Sequence, residues 1–384
     1  MGNNIPQGYK ATALGIIPQE WEVMRLGDIV SITSGESPSL YHLKAEGKYP
    51  YVKVEDLNNC EKYQESSREY SDDNNTTIKA GSIIFPKRGA SILNNKVRIA
   101  AKDIQMDSNM MAITPHTTIV DTEFLYIRIL HERLYRIADT SSIPQINNKH
   151  IIPYKIAVPP LAEQRKIAEV LGVWDKAIEK QARLIEKLAL RKRALMQRLL
   201  SAKLRLPGFS EPWKKVKLGD VAELYQPQTI QSEDLSQTGY PVYGANGLIG
   251  YYNNYNHEYP QVVITCRGSS CGTVNFTPGK CWITGNAMVL NVDNNRDVNK
   301  SFFYYLISNS SFVNLISGSG QPQIVRQPLL KFELRIPPLK EQTAIAEVLT
   351  AADREIDLAK EKLERLRRQK RGLMQQLLTG KKRI

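Results

Sequence analysis

Two short turns carry the residues whose chemistry is easiest to interpret. Lys87-Arg-Gly-Ala-Ser91 and Cys266-Arg-Gly-Ser-Ser270 each follow an apolar run that is typical of a strand. Such a turn presents an arginine, backbone N–H groups and small hydroxyls, which suit a phosphate group or the edge of a guanine base. The alternative is a β-turn that needs glycine, beside an arginine without a function. The recurrence of the turn in both halves of the chain raises the weight of the binding interpretation.

A glycine-rich segment, Gly244–Gly250, superficially resembles a nucleotide-binding loop. Its spacing matches neither the dinucleotide fingerprint nor a P-loop, and Gly-Lys-Ser/Thr does not occur in the sequence. We interpret the segment as turns around the end of a strand. The candidate residues for contact with a nucleic acid are Lys87, Arg88, Ser91, Lys96, Arg98, Asn246, Arg267, Ser269 and Ser270.

Three cysteines and a histidine in one region have side chains that zinc prefers. Cys266, Cys271, Cys281 and His257 have spacings that match no common zinc motif, so we expect free thiols. The five histidines form no paired metal motif, and no Gly-x-Ser-x-Gly elbow occurs. Neither Pro-Pro dipeptide has the flanking residues that an adenine methyltransferase requires. The sequence therefore predicts no metal site and no catalytic residues in this chain.

Composition indicates a soluble protein with a polyanionic partner. The 384 residues carry a formal charge of +13, which favours binding to nucleic acid. Residues 159–206 and 337–384 contribute +7 and +5 of that charge, so the remaining residues are almost neutral. No apolar run is long enough to span a membrane, the N-terminus does not resemble a secretory signal, and four cysteines do not suggest a disulfide framework. We expect a cytoplasmic protein without a membrane partner.

An internal repeat divides the chain. Residues 159–206 align with 337–384 at a constant offset of 178, and 23 of the 48 aligned positions are identical. The segments before them, 1–158 and 207–336, are related more loosely. They share a tryptophan before Leu-Gly-Asp, the Arg-Gly turn and a Pro-Gln-Ile motif. The first copy carries an insert, and we expect its polar part, Glu61–Asn75, to be a loop. The predicted layout is domain, helix, domain, helix, with boundaries at these residues.

The two basic segments have the spacing of long coiled-coil helices. Each follows Pro-Pro, and its apolar residues recur at alternating intervals of three and four. Each helix of about 39 residues measures about 58 Å at 1.5 Å per residue. We expect the two helices to pack antiparallel, although each one packing on its own domain is the alternative. The predicted seam residues are Ile167, Leu171, Trp174, Ile178, Ile185, Leu188, Leu195, Leu199, Ile345, Leu349, Ile356, Leu363, Leu366, Leu373 and Leu377.

Two lysines at equivalent positions, Lys192 and Lys370, also fall in this seam. They either extend their amines to solvent or fix the register of the helices. In the domains, short apolar runs predict strands and two segments predict helices, so we expect an α+β protein with two mixed α/β domains and approximate two-fold symmetry. The predicted strands and helices are Ser82–Phe85, Lys96–Ala100, Met110–Ile113, Val262–Thr265, Thr273–Phe276, Ala287–Val292, Thr122–Leu134 and Asn299–Ile307.

These motifs together resemble the specificity subunit of type I restriction–modification systems along essentially the whole chain. The resemblance rests on Pro-Pro-Leu-x-Glu-Gln-x-x-Ile-Ala-Glu-Val-Leu, which begins at both Pro159 and Pro337, and on Leu206-Pro-Gly-Phe-Ser-Glu-Pro-Trp213. It also rests on Ile17-Pro-Gln-Glu-Trp21, on Tyr240-Pro-Val-Tyr-Gly-Ala-Asn-Gly247 and on Gly318-Ser-Gly-Gln-Pro-Gln-Ile324. The first domain departs from the pattern at Val52–Asp56 and Thr140–Ile143.

The resemblance implies two target-recognition domains that each bind one half of a bipartite site on double-stranded DNA. It implies that the helices space these domains and dock two methyltransferase subunits, which use S-adenosylmethionine for DNA methylation. Restriction/translocase subunits that use ATP and Mg would complete the restriction system, and this chain would hold no cofactor. The other hypotheses are a stand-alone DNA-binding protein, a nuclease or methyltransferase acting alone, and a protein–protein adaptor with duplicated domains.

Overall fold

The computed structural model describes residues 5–140, 142–244, 247–318 and 320–384. It contains two compact units. Unit 1 comprises the residues up to 180 together with 363–384, and unit 2 comprises residues 181–362. Each unit therefore contains one mixed α/β domain and part of both long helices.

Unit 1 is a mixed α/β structure built on short strands and short helices. In chain order they are β1 (Tyr9–Thr12), β2 (Gly15–Pro18), β3 (Glu22–Arg25), α1 (Leu26–Ile29), β4 (Val30–Ser34), β5 (Tyr49–Val52), β6 (Tyr63–Gln64), β7 (Tyr70–Ser71), β8 (Ile83–Pro86), β9 (Arg98–Ala100), β10 (Gln105–Met106), β11 (Met110–Pro115), α2 (Thr122–Glu132), α3 (Leu134–Ile137), α4 (Asn148–Ile151) and β12 (Lys155–Val158). Its main sheet has the order β4-β11-β8-β9-β6. The central strand β8 is buried along its whole length, so its end is fixed by the core.

The two long helices each begin in one unit and end in the other. They are α5 (Leu161–Leu199) and α9 (Leu339–Leu378), of 39 and 40 residues. Unit 2 adds β13 (Lys214–Lys217), α6 (Leu218–Val221), β14 (Glu223–Tyr225), β15 (Tyr240–Gly244), β16 (Gly247–Tyr252), β17 (Val262–Thr265), β18 (Val274–Phe276), β19 (Trp282–Ile283), β20 (Ala287–Asn291), α7 (Lys300–Ser308), α8 (Arg326–Leu330) and β21 (Glu333–Ile336).

Unit 2 repeats the topology of unit 1. Its main sheet has the order β14-β20-β17-β18, which matches four of the five strands of the first sheet. A second sheet in each unit contains a parallel pair, β5 with β10 and β15 with β19. The predicted α+β class, the mixed domains and the long helices are confirmed. The predicted loop Glu61–Asn75 is wrong in part, because β6 and β7 lie in it and pair with β9 and β5.

Each long helix is anchored to its domain by a buried glutamine in its first turn. Gln164 Nε2 donates to the carbonyl oxygens of Pro159 at 2.8 Å and Ile119 at 2.9 Å, while its Oε1 accepts from the Asp121 N–H at 2.8 Å. Gln342 makes the equivalent three hydrogen bonds in unit 2 at 2.9 Å each. Both side chains are fully buried with both amide ends satisfied. This explains the glutamine of the repeated Pro-Pro-Leu-x-Glu-Gln motif.

The glutamate of the same motif holds an arginine from the segment that follows the other helix. In unit 1, Arg383 donates to the two carboxylate oxygens of Glu163 at 3.1 and 2.9 Å. In unit 2, Arg205 donates to those of Glu341 at 2.7 and 2.9 Å. Glu163 is 6% exposed and Glu341 is 1% exposed, so the carboxylates of these bidentate pairs are buried, while both arginine side chains remain partly exposed. Hydrogen bonds to Glu163 and then to Glu20 raise the pKa of Arg383.

Within each unit the parts of α5 and α9 pack antiparallel. In unit 2, Leu188, Ile356 and Ala359 form a buried cluster, and Gln181 Nε2 donates to the Ala359 carbonyl at 3.0 Å. In unit 1, Ile167 and Leu171 share the core with Leu377 and Leu378. All fifteen predicted seam residues are buried or half-buried. The half-buried ones are Trp174, Ile178, Ile185, Leu195, Leu366 and Leu373.

The two seam lysines both pair with an aspartate of the opposite helix. Lys192 Nζ contacts Asp353 in unit 2, and Lys370 Nζ contacts Asp175 in unit 1. Lys192 and Lys370 are equivalent positions of the repeat, and so are Asp175 and Asp353, because each two differ by the offset of 178. The two ion pairs are therefore equivalent as well. Asp353 also accepts a hydrogen bond of 2.8 Å from the Tyr305 hydroxyl, whose pKa is raised mainly by burial. Of the two alternatives for these lysines, the contacts favour the one in which they fix the register.

Removal of one partner from the Arg205–Glu341 pair tests the helix anchor. Glu341→Gln leaves the Arg205 guanidinium without a buried counter-charge, so we expect the free energy of local opening at the start of α9 to fall by about 2–3 kcal/mol. Hydrogen exchange at the Ile345 and Leu349 amides measures that opening. Glu347→Gln, at an exposed position of the same helix, is the control and is expected to change it by less than about 0.5 kcal/mol. Equal exchange in both variants would contradict the anchor.

A charge reversal tests the register pair in unit 2. Lys192→Asp or Asp353→Lys places like charges together, so each is expected to lower unfolding stability by about 1–2 kcal/mol. The double variant restores opposite charges and is expected to recover most of that loss in a denaturant titration. Reversal of the exposed pair Lys360–Asp357 is the control, with effects below about 0.5 kcal/mol. Additive losses in the double variant at Lys192 and Asp353 would show that the pair does not hold the helices.

Candidate nucleic-acid interface

In unit 1 the Arg–Gly turn lies at the end of the buried strand β8. The Lys87 N–H donates to the Asn109 carbonyl at 2.8 Å, which continues the pairing beyond β8. On its other side, the Ile146 N–H donates to the Lys87 carbonyl at 2.9 Å, and the Gly89 N–H donates to the Pro144 carbonyl at 2.9 Å. The Pro-Gln-Ile segment 144–146 therefore holds the turn by backbone hydrogen bonds on one side, and the sheet holds it on the other. We call this pairing of the turn with the Pro-Gln-Ile segment the latch.

Unit 2 contains the same latch at the end of β17. The Cys266 N–H donates to the Asn286 carbonyl at 3.2 Å. The Ile324 N–H donates to the Cys266 carbonyl at 2.9 Å, and the Gly268 N–H donates to the Pro322 carbonyl at 3.0 Å. Two motifs that are about 55 residues apart in the sequence thus form one structure in each unit. The recurrence of both motifs is visible in the sequence, but the Pro-Gln-Ile segments were not among the predicted binding residues, because nothing in the sequence indicates that they pair with the turn.

Glycine is required in the turn for its backbone conformation. Gly89 has φ 82° and Gly268 has φ 84°, which side chains rarely allow. A Cβ at either position would meet no atom within 4 Å, so the requirement is conformational and not a matter of space. The repeated conformation fixes the direction in which the preceding arginine leaves the sheet.

The arginines of both turns are exposed to solvent. Arg88 and Arg267 each occupy the tip of the latched turn. Lys87 beside Arg88 is half-buried, and burial followed by the charge of Arg88 lowers the pKa of its amine. The arginine is therefore the permanent cation of the turn, because a guanidinium does not deprotonate in a protein. This arrangement can hold a phosphate or hydrogen-bond to a base edge.

Two of the predicted residues make hydrogen bonds within the protein, and their contact with DNA stays a prediction. The Arg98 guanidinium donates to the carbonyls of Leu57, Cys60 and Val97 at 2.7–2.8 Å, so it braces the 57–60 segment. Lys96 Nζ donates to Asn58 Oδ1 at 2.6 Å. These cations satisfy groups of the protein itself.

The small polar candidates remain predictions. Ser91 and Ser270 are half-buried and Ser269 is exposed, each in or directly after its Arg–Gly turn. In unit 1, Ser91 lies in a short 3₁₀ turn, Ala90–Ile92, that follows Gly89. Asn246 lies outside the described residues.

The four cysteines are free thiols, and two of them are buried. Cys266 and Cys281 are buried, and burial raises the pKa of the Cys266 thiol to about 11, which keeps it protonated at neutral pH. Among the described residues, no group of three or more His, Cys, Asp or Glu side chains lies close enough to hold a metal ion. In the same part of the chain, no helix is both long and apolar enough to cross a membrane.

Comparisons with known proteins agree with this arrangement. The sequence model of the type I restriction modification DNA specificity domain matches residues 18–189 and 210–368. The type I restriction enzyme MjaVIII specificity subunit of Methanocaldococcus jannaschii is 24% identical over 421 aligned positions, which cover 96% of this chain and 94% of that protein.

Two solved structures share the fold. The crystal structure of the type I restriction–modification S subunit from M. genitalium has a TM-score of 0.61 at 19% identity, covering 98% of this chain and 97% of that one. A chain from a structural study of complex assembly and conformational transition of the type I restriction–modification system has a TM-score of 0.63 at 19% identity, covering 95% and 99%. Because the family model matches most of the sequence in two copies, the chain belongs to the type I restriction–modification DNA specificity family.

Proposed function

We propose that this chain supplies the DNA specificity of a type I restriction–modification complex. Unit 1 and unit 2 each bind one half of an asymmetric bipartite site on double-stranded DNA. The observation that carries the proposal is the latched Arg–Gly turn, which is the same in two domains of different sequence. A shared scaffold with divergent loops suits two domains that bind the same polymer at different base sequences.

The long helices support a fixed separation between the half-sites. At 1.5 Å per residue the 39 residues of α5 correspond to about 58 Å, or about 17 base pairs at 3.4 Å each. Ion pairs such as Lys192–Asp353 oppose sliding of one helix along the other. On the DNA, repeated helices that pack antiparallel place the two domains on opposite strands, and their different sequences make the target asymmetric.

We further propose that the helices dock two methyltransferase subunits. Leu190 is 60% exposed on α5 and Leu358 is 59% exposed on α9, and Val173 and Leu184 are further exposed apolar residues of α5. Apolar side chains of this size stabilise an interface when a partner covers them. Restriction/translocase subunits join this assembly.

In this proposal the chemistry belongs to the partners. The methyltransferase subunits bind S-adenosylmethionine, and the restriction/translocase subunits use ATP and Mg. In this proposal the chain itself is a non-catalytic, cytoplasmic subunit, and the specificity-subunit names of its curated relatives support the specificity role.

Selection from a random DNA library tests the function. The chain, co-purified with a type I methyltransferase subunit that binds it, is expected to enrich fragments with two short conserved blocks at one constant separation. Replacement of residues 207–336 by the corresponding domain of another family member is expected to change one block only, because each unit binds its own half-site. Change of both blocks, or enrichment of a single continuous block, would contradict the proposal.

Substitutions on the helices test the docking of the methyltransferase. Leu190→Glu and Leu358→Glu place a charge in the proposed interface, so we expect the affinity for the methyltransferase subunit to fall at least tenfold. Co-purification from cells that express both subunits is the measurement. Leu248→Glu is the control, since Leu248 is 51% exposed but lies in β16, outside the helices. If only the Leu248→Glu variant loses the methyltransferase, the interface includes β16 and not these helix positions, which would contradict the proposal.

A further inference from the structure

The latch places a glutamine directly beside the turn arginine in each unit. Arg88 is bridged to Gln145, and Arg267 is bridged to Gln323, in short antiparallel ladders. The backbone hydrogen bonds on either side of each bridge join the neighbouring residues, and the arginine and the glutamine share none with each other. This is the pattern of a non-hydrogen-bonded pair in an antiparallel ladder. In such a pair the two side chains lie on the same face, with Cβ atoms about 4.5–5.5 Å apart. The arginine and the glutamine therefore project together.

The arginine and the glutamine are the first two members of a row of side chains. A third member extends the row, and this residue differs between the units. Gln145 exchanges two backbone hydrogen bonds of 2.9 Å with Asp139, and Gln323 exchanges bonds of 2.9 and 2.8 Å with Ser317. The rows are Arg88–Gln145–Asp139 in unit 1 and Arg267–Gln323–Ser317 in unit 2. Arg267, Gln323 and Ser317 are all exposed, while Gln145 and Asp139 are half-buried.

The shared members of the row act as hydrogen-bond donors. A guanidinium has five N–H groups and no acceptor, and a glutamine amide adds two more N–H groups. Side chains of both types commonly bind the phosphate oxygens of DNA. The glycine conformation and the latch hold this donor pair at one fixed place at the end of a buried strand in each unit.

We propose that Arg88 with Gln145, and Arg267 with Gln323, each clamp a backbone phosphate of the DNA. The inference rests on the proposed function and extends it to a division of roles. A donor pair that is identical in two domains with different half-sites cannot account for the difference between those half-sites. It contacts what both half-sites share, which is the sugar–phosphate backbone, and leaves base recognition to residues that differ between the domains.

The salt dependence of DNA binding tests the clamp. The chain co-purified with its methyltransferase partner is titrated with a duplex of the selected site and with a duplex in which the second block is scrambled. Arg267→Ala is expected to weaken binding to both duplexes by the same factor and to reduce the slope of log K against log salt by about 0.9. Gln323→Ala is expected to weaken both about five-fold without changing the slope, because the amide is neutral.

One further variant tests the sign of the charge that the row contacts, and a second variant is its control. Ser317→Asp adds a carboxylate beside the clamp in unit 2, so it is expected to weaken binding to both duplexes equally. Arg296→Ala removes an exposed arginine elsewhere in unit 2 and is the control, with slope and affinity close to those of the unmodified chain. A duplex with one methylphosphonate at the contacted position is expected to bind the unmodified chain and Arg267→Ala equally well.

Each outcome has a separate meaning. If the ratio of the two affinities falls in Arg267→Ala or Gln323→Ala, the pair reads bases and the clamp is refuted. If neither substitution changes affinity or slope, the row does not touch DNA and the clamp is also refuted. If the unmodified complex binds both duplexes equally, the proposed function fails, whatever the variants do.

Discussion

An apolar stripe along one side of a long helix needs a partner in water, and this requirement dominates the structure. A helix of 39 residues with charged residues on most of its surface buries little by itself. Here α5 and α9 meet this requirement through each other within each unit, by means of Leu188, Ile356 and their neighbours. The first turn of each helix is then anchored by one buried glutamine and one buried glutamate. The remaining structure depends on these two anchored starts.

The anchors also connect the ends of the helices to the domains. The arginine that pairs with each buried glutamate comes from the segment after the opposite helix, so a single ion pair joins the end of one helix to the start of the other. A helix shifted by one residue would break this pair and the seam pair of Asp353 together. Within each unit, such coupling opposes sliding of one helix along the other, which is the property that the proposed spacer requires.

The domains combine a repeated framework with divergent surroundings. The sheet order, the parallel strand pair and the latched turn recur, whereas the third position of the row is Asp139 in one unit and Ser317 in the other. Repetition in the framework and divergence around it fit a protein that binds two different half-sites on one polymer. In the proposed clamp, phosphate contacts fix where each domain lies on the DNA, and the divergent residues determine the bases that it accepts.

Patterns of regular spacing made much of this architecture predictable. The intervals of three and four residues and the Pro-Pro starts predicted α5 and α9. Apolar runs predicted the main-sheet strands β8, β9, β11, β17, β18 and β20, but not β4, β6 or β14. The seam position of Lys192 was visible in the sequence, but its partner Asp353 was not, because the pairing register depends on tertiary packing. The brace made by Arg98 was missed for the same reason, since backbone carbonyls leave no signal in sequence. The strands β6 and β7 have two residues each, too few for an alternating pattern.

The spacing of the half-sites tests the central claim most directly. Affinity of the complex is measured for a series of duplexes in which the two selected blocks are separated by one base pair more or fewer at each step. A stiff spacer predicts a single sharp maximum, because each added base pair shifts one half-site by about 3.4 Å and rotates it around the duplex. Equal affinity across the series would contradict the account, since it would show that the two domains bind DNA independently of the helices.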